Sequence, residues 1–255
     1  MSYGRFAQLY DRFMQDVPYD EWLNFTLEQF NHAETDIQHV ADLGAGTGEL
    51  TLRLHQHGYA MTGVDLSEEM LTIAQQKAIQ QNAVIQWVQT DITRHQEGLR
   101  FDGVVCYCDV VNYLTRDGVV ERFFQNVYHM LQDGGMFLFD VHSINYVENF
   151  LANQTFAHVT DDISYIWFCD QIEGTPYYVS HDLTFFVKQG ENYERFDEFH
   201  KQRTYSVQQY MDWLIATGFE IVNVHADFQL EPGYKEDEHD RIFFVCRKSQ
   251  KQEEA

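Results

Sequence analysis

The residue types best suited to chemistry sit together in one segment, Val40-Ala41-Asp42-Leu43-Gly44-Ala45-Gly46-Thr47-Gly48-Glu49. An apolar run enters three glycines at alternate positions, and a helical pattern leaves them. That spacing lets a ligand press against the backbone without Cβ clashes while the turn aims peptide N–H groups into a cleft. A glycine-rich packing turn would use the same residues. Spacing then separates two ligand classes. A dinucleotide fold reads G-x-G-x-x-G, its third glycine lying where the helix meets the pyrophosphate. Here that position is Glu49, and the third glycine comes one residue early at Gly48. A carboxylate facing a pyrophosphate is electrostatically unfavourable, which argues against an NAD-dependent oxidoreductase.

Two further acids stand where a nucleoside would need them. Asp65, in Gly63-Val64-Asp65-Leu66-Ser67, falls 17 residues after Gly48 and can accept both hydrogen bonds of a ribose diol. Asp91, in Gln89-Thr90-Asp91-Ile92, can accept from an exocyclic adenine amine. Each alone is an ordinary strand-end acid. Together they follow successive strands at their carboxyl ends, where open α/β sheets bind ligands. Elsewhere the signals are weaker. His55 and His57 are two apart on a helix and diverge, and the acidic stretch Lys235 to Asp240 reads as a solvated loop. Neither a metal site nor a nucleophile triad is expected.

Those residues need strands and helices to hold them. His39 to Leu43, Ala60 to Val64, Val84 to Val88, Gly103 to Tyr107 and Met136 to Val141 read as strands. Ser67 caps a helix with Met70, Leu71, Ala74 and Ala78 inward. A second helix, Asp117 to Leu131, is stopped by Gly134-Gly135, and a third opens at Ser206 and stops at Gly218. Phe219 to His225 and Ile242 to Arg247 close the pattern. Alternating strands and helices imply crossovers and a mostly parallel sheet. Between them, residues 155–205 hold 12 aromatics, against 15% aromatic overall. This segment reads as three antiparallel strands, Ile163 to Gln171, Tyr177 to Lys188 and Tyr193 to Thr204. On the middle one Val179, Leu183, Phe185 and Val187 share an apolar face that must cover something.

The 255-residue chain is long enough for one α/β domain with an insert, and 44% hydrophobic composition supports a core. A balance of 17 Lys+Arg against 40 Asp+Glu gives a net charge of −23, which discourages nucleic acid and anionic membranes as partners. The longest apolar runs are five residues, such as Ile242 to Cys246, so no membrane span is expected. Met1 to Phe6 show no apolar signal, and Cys106, Cys108, Cys169 and Cys246 lie in apolar stretches with no zinc or disulfide spacing. A cytoplasmic monomer or homodimer is the expectation.

On the residues above, the sequence resembles class I S-adenosylmethionine-dependent methyltransferases. The resemblance spans Val40 to Val141 well and Ser206 to Arg247 loosely. It rests on Asp42, Gly44, Gly46 and Gly48, on Asp65 and Asp91, and on Leu131-Gln132-Asp133-Gly134-Gly135. It implies a Rossmann-like α/β fold with a seven-stranded sheet of order 3-2-1-4-5-7-6. It also implies S-adenosylmethionine as cofactor, with Gly44, Ala45 and Gly46 on its methionine part. Asp65 and Leu66 would hold ribose and adenine, Asp91 and Ile92 the adenine, and the Cys108 carbonyl the methionine ammonium. Leu9-Tyr10-Asp11-Arg12-Phe13 resembles the leader of small-molecule members, where the tyrosine reaches the cofactor's carboxyl end; Tyr10 as a helix packer is the alternative.

The organisation expected is an N-terminal helical cap (1–35), a cofactor-binding α/β domain (36–150 and 206–247), an antiparallel β lid (151–205) and a polar tail (248–255). Methyl transfer from a sulfonium is an in-line displacement that needs alignment more than a nucleophile. The acceptor is expected to be a small molecule lying over the fourth and fifth strands, beneath the insert. Asp109, Asn112, Tyr113 and His142 follow those strands; His200, Arg203 and Tyr205 follow the insert. Among the catalytic candidates Asp109, His142 and His200, either histidine could act as general base, or both could be hydrogen-bonded structural residues. N-, O- and C-methylation stay open. A non-catalytic cofactor-binding sensor or scaffold is the rival; a blocked acceptor pocket would favour it.

Overall fold

The structure, a computed structural model, describes residues 10, 11, 14, 17–94 and 98–249. After α1 (Tyr19–Asn31), the chain alternates β1 (His39–Leu43), α2 (Glu49–Gln56), β2 (Ala60–Asp65), α3 (Glu68–Gln80), β3 (Gln86–Gln89) and β4 (Phe101–Cys106). Then come α4 (Val119–Met130) and β5 (Leu131–His142). A four-stranded insert follows: β6 (Gln154–Val159), β7 (Ile163–Gln171), β8 (Tyr178–Gln189) and β9 (Asn192–Arg203). The chain closes with α5 (Val207–Thr217), β10 (Phe219–Ala226) and β11 (Arg241–Lys248).

The main sheet has seven strands in the order β10-β11-β5-β4-β1-β2-β3, the arrangement the resemblance implied. β11 runs antiparallel to both neighbours, while the pairs among β1 to β5 are parallel. Period two sorts its apolar runs onto two faces. Phe137, Phe139 and Val141 of β5 join Phe244 of β11, α4 and α5 on one side. Met136 and Leu138 join Phe243, Val245 and α1 on the other. Helices on both faces explain why these strands read as nearly continuous hydrophobic stretches.

Local signals behave as their chemistry requires. Ser67 Oγ accepts from the Met70 N–H at 3.2 Å and Ser206 Oγ from the Gln209 N–H at 3.2 Å, each capping a helix. Gly218 ends α5 at φ +107°. Gly134-Gly135 is not the stop for α4. That helix ends at Met130 when Leu131 turns extended (ψ 143°), and left-handed Gly134 lies inside β5. There the β4–β5 register jumps from Phe101↔Leu131 to Gly103↔Met136, an insertion that a bulge absorbs.

The insert forms a separate antiparallel sheet, β6-β7-β8-β9, with four strands where the sequence reading expected three. β6 escaped notice because it is an edge strand with mostly exposed side chains, anchored by Phe156 against Trp167 at 4.5 Å. On β8, Val179, Phe185 and Val187 are buried and Leu183 is half-buried. Phe185 stacks on Phe196 of β9 at 4.9 Å. No described helix is long and apolar enough to cross a membrane.

Candidate active site

The β1–α2 turn is locked to β2 by its own backbone. The Gly44 and Ala45 N–H groups donate to the Val64 carbonyl at 2.8 and 3.0 Å, and the Gly46 N–H donates to Asp65 Oδ2 at 2.8 Å. Gly44, at φ +81°, has Val110 2.5 Å from where a Cβ would stand. Gly46, at φ +53°, has nothing within 4 Å, so open space adjoins its backbone. Beneath the turn, buried Asp42 accepts from Thr51 Oγ1 at 2.5 Å, and burial pushes its pKa up to about 6.

The three strand-end positions line up because β1, β2 and β3 are adjacent. Asp65 accepts from the Ser67 N–H at 2.9 Å through its other oxygen, and burial raises its pKa despite these bonds. A carboxylate oxygen has two lone pairs, so Asp65 can hold the turn and still accept from a diol. Beside it the Leu66 side chain is 70% exposed, an apolar surface at the cleft. Asp91 accepts from Thr93 Oγ1 at 2.6 Å and the Thr93 N–H at 2.9 Å, bonds that lower its pKa. The Ile92 carbonyl accepts from Asn126 Nδ2 at 3.3 Å. Glu49, the residue that disfavoured a dinucleotide, pairs with Lys77 at 2.7 Å and Arg53 at 3.4 Å. Lys77 also pairs with Asp11 at 2.6 Å, and Asp11 accepts from Thr47 Oγ1 at 2.5 Å. These contacts tie Tyr10-Asp11 to the glycine turn; Leu9, Arg12 and Phe13 of that motif lie outside the described residues, as does the tail beyond Lys248-Ser249.

A cavity of about 350 Å³ opens between the ends of β4 and β5 and the inner face of the insert. Tyr10, Cys108, Asp109, Tyr113 and His142 line it from the main domain, and Trp167, His181, Leu183, His200 and Gln202 from the insert. Its chemistry centres on Asp109. Arg241 Nη2 lies 3.1 Å from Asp109 Oδ1, and Arg241 Nη1 lies 2.8 Å from Asp140, which is fully buried. His142 Nε2 is 3.5 Å from Asp109 Oδ2, and Gln202 Nε2 donates to that oxygen at 2.6 Å. Burial opposes ionisation of Asp109, but His142, Arg241 and Gln202 outweigh it and hold the carboxyl well below the usual range. Cys108 and Asp109 both adopt left-handed backbone, at φ +56° and +54°, a strained pair where β4 leaves the sheet.

From Asp109 a one-directional relay crosses into the insert. Trp167 Nε1–H donates to His181 Nδ1 at 3.0 Å, and His181 Nε2 meets Gln202 Oε1 at 3.1 Å. Indole is a donor only, so His181 must carry its proton on Nε2 and its lone pair is already taken. Burial, first, lowers its pKa to about 4. His200, the cross-strand partner of His181, lines the same insert wall edge-on to Tyr113 at 6.0 Å, and burial lowers its pKa as well.

The sequence candidates Tyr10, Cys108, Asp109, Tyr113, His142 and His200 therefore meet in one cavity. Asn112 supports it instead, accepting from the His142 N–H at 2.9 Å and donating to the Arg203 carbonyl at 3.0 Å. Arg203 is outside the cavity, paired with Asp117 at 2.8 Å and lying over the Tyr205 ring at 4.6 Å. Arg241, Asp140, Gln202, His181 and Trp167 were missed. One signal was available: Asp140 interrupts the apolar run Met136 to Val141, and a charge there demands a partner.

A family described as "Methyltransferase domain" matches residues 40–135. A protein of Bacillus subtilis (strain 168) named "Putative methyltransferase YqeM" is 41% identical over 255 residues, 98% of this chain and 98% of its own length. The glycine/sarcosine N-methyltransferase of Aphanothece halophytica is 26% identical over 84% of this chain and 78% of its own. The crystal structure of an S-adenosylmethionine-dependent methyltransferase from Clostridium acetobutylicum superposes with a TM-score of 0.87 at 29% identity, covering 97% of this chain and 99% of that one.

Proposed function

The chain belongs to the class I S-adenosylmethionine-dependent methyltransferases, and on that premise we propose that it methylates a small molecule held in the cavity beneath the insert. The observation that carries this reading is the open cavity itself, with Asp109 and His142 on its wall beside Tyr10 and Cys108. A cavity filled by side chains would favour a cofactor-binding sensor instead. The acidic charge of −23 repels polyanions, and the relative from Aphanothece halophytica is named for glycine and sarcosine, both small. The same charge supports a protein without nucleic-acid or anionic-membrane partners, and a cytoplasmic monomer or homodimer completes the reading.

The residues present fit the cofactor: space at Gly46, spare acceptor capacity on Asp65 and the exposed Leu66 surface. In this reading Gly44, Ala45, Gly46, Tyr10 and the Cys108 carbonyl hold its methionine part. Asp65 and Leu66 hold ribose and adenine, and Asp91 with Ile92 the adenine edge. When bound, S-adenosylmethionine supplies an electrophilic methyl group on a sulfonium. The chain's task is to align an acceptor with that methyl, in line with the breaking bond, and to exclude water. His142 serves as base, because His181 has no free lone pair and Asp109 stabilises an imidazolium at position 142. With Nε2–H turned to Asp109, the second ring nitrogen takes the acceptor's proton.

The test is S-adenosylhomocysteine release by the purified full chain, given S-adenosylmethionine and a panel of small amines, phenols and alcohols. His142→Ala is expected to lose turnover at least ~100-fold while S-adenosylhomocysteine affinity is unchanged. Turnover confined to intact protein or nucleic acid would sink the small-molecule reading.

A further inference from the structure

Resting on that placement of the acceptor, we propose that the molecule methylated is a primary or secondary amine, admitted to the cavity as its ammonium cation. Charge decides this. Among the described lining residues Asp109 is charged and none is Lys or Arg. Arg241 lies behind Asp109 with its guanidinium spent on Asp140 and Asp109 and held over the Trp22 ring at 5.3 Å. Two carboxylates against one guanidinium leave the cluster one negative charge in excess while His142 is neutral.

The relay reinforces that sign. Each of its hydrogens points toward Asp109: Trp167 to His181, His181 to Gln202, Gln202 to the carboxylate. It keeps Asp109 an acceptor and commits the donors of Trp167, His181 and Gln202, so none of these three turns to an anion. Aromatic faces complete the wall, since Tyr10, Tyr113, Tyr146 and Trp167 all line the cavity, and π-faces attract cations.

Charge bookkeeping separates the acceptor classes. An ammonium brings the cluster to neutrality. Passing its proton to His142 moves charge within a neutral assembly, because the imidazolium then faces Asp109. A phenol or alcohol would start neutral against an anionic wall and become an oxyanion beside a carboxylate. A carboxylic acid would add a second negative charge outright. Like charges in a partly buried site are costly. The step balances for the amine. His142 takes one proton, and the freed nitrogen lone pair forms the N–C bond as the S–C bond breaks with its electron pair passing to sulfur. The product leaves as an N-methylammonium, sulfur is left as a neutral thioether, and His142 returns its proton to water.

The experiment uses three probes of one shape on the full chain saturated with S-adenosylhomocysteine: benzylamine, benzyl alcohol and benzoate, titrated by calorimetry. Benzylamine should bind ~10-fold or more tightly than benzyl alcohol, with benzoate weaker still. Asp109→Asn should erase the amine preference while S-adenosylhomocysteine binding persists. Tyr146→Leu removes an aromatic face and no charge; it should weaken benzylamine ~3-fold and leave benzyl alcohol unchanged, and an unchanged benzylamine affinity would count against the cation site. Benzyl alcohol or benzoate binding as well as benzylamine overturns the amine assignment while the cavity stands as acceptor site. If none of the three binds the saturated protein, the cavity is not the acceptor site, and both readings fall.

Discussion

The two halves of the site are built on different principles. The side proposed for the cofactor rests largely on backbone: glycine N–H groups bonded to the Val64 carbonyl and Asp65 at the ends of β1 and β2, with Asp91 after β3 and Cys108 after β4. The side proposed for the acceptor is made of side chains: Asp109 just after β4 with others from β5, β8, β9 and β11, held together by charge and hydrogen bonds. Backbone geometry tolerates neighbours that change, because its donors and acceptors are the same in every residue. A buried charge network does not, because each member exists to satisfy another. The acceptor side should therefore be the more fragile half and the one that tunes specificity.

The largest effect should come from breaking that network at its cation. Arg241→Leu leaves Asp109 and Asp140 without their counter-charge, and loss of one partner from a buried pair costs about 3–5 kcal/mol. Urea unfolding would measure it, and adding Asp109→Asn should recover part of the loss. A variant as stable as the parent would show that the network is not what holds the cavity wall.

On the cofactor side, the corresponding cut is Asp65→Ala. It should weaken S-adenosylmethionine by about 2–4 kcal/mol, roughly 30- to 1000-fold, with Asp65→Asn in between. The loss should fall on binding, since ribose contacts are equal in ground and transition states. Parent-like affinity by calorimetry would remove Asp65 from the nucleoside site.

Acidity should divide the halves by sign. His181 titrates near 4 when folded, below its usual 6.5, because burial disfavours its charged form. The folded protein then binds fewer protons than the unfolded chain between those values, and stability is lost as pH falls through that window. Asp42 titrates near 6, above its usual 3.8, also because of burial. The folded protein there binds more protons, so stability is lost as pH rises from about 4 to 6. Each contribution is up to about 3 kcal/mol. Urea midpoints across pH 4 to 7 should show His181→Gln flattening the acid loss and Asp42→Asn flattening the opposite one. Slopes that change in the same direction would contradict this division.

The smallest effect on stability is expected at Gly46→Ala. Its φ of +53° costs a side chain about 1–2 kcal/mol, and nothing nearby adds a clash. The new methyl would stand in the cofactor's space, so affinity should fall further than stability. Equal losses in both would mean that the space at Gly46 is not part of the cleft.

Legibility follows the same division. Gly44, Gly46, Asp65 and Asp91 could be placed at a glycine turn and at strand ends, because a strand, a turn and a helix N-terminus are set by local spacing. His142 and Asp109 could be named as strand-end polar residues, but not as neighbours. β6 was missed because an exposed edge strand has no hydrophobic period, and Gly134 was misplaced because a left-handed glycine serves a bulge as well as a helix end.

What the sequence determined by itself was the alternation of strands and helices, the glycine turn and the acids at the ends of β2 and β3, because hydrophobic period and backbone sterics act over a few residues. What only the tertiary structure decided was the charge network around Asp109. Asp109 meets Arg241 from 132 residues away and Gln202 from 93, and such pairings arise only when β11 aligns Arg241 opposite His142 and the insert folds back over the sheet. Electrostatic partners are chosen by distance in space, and no local pattern in the chain records that distance.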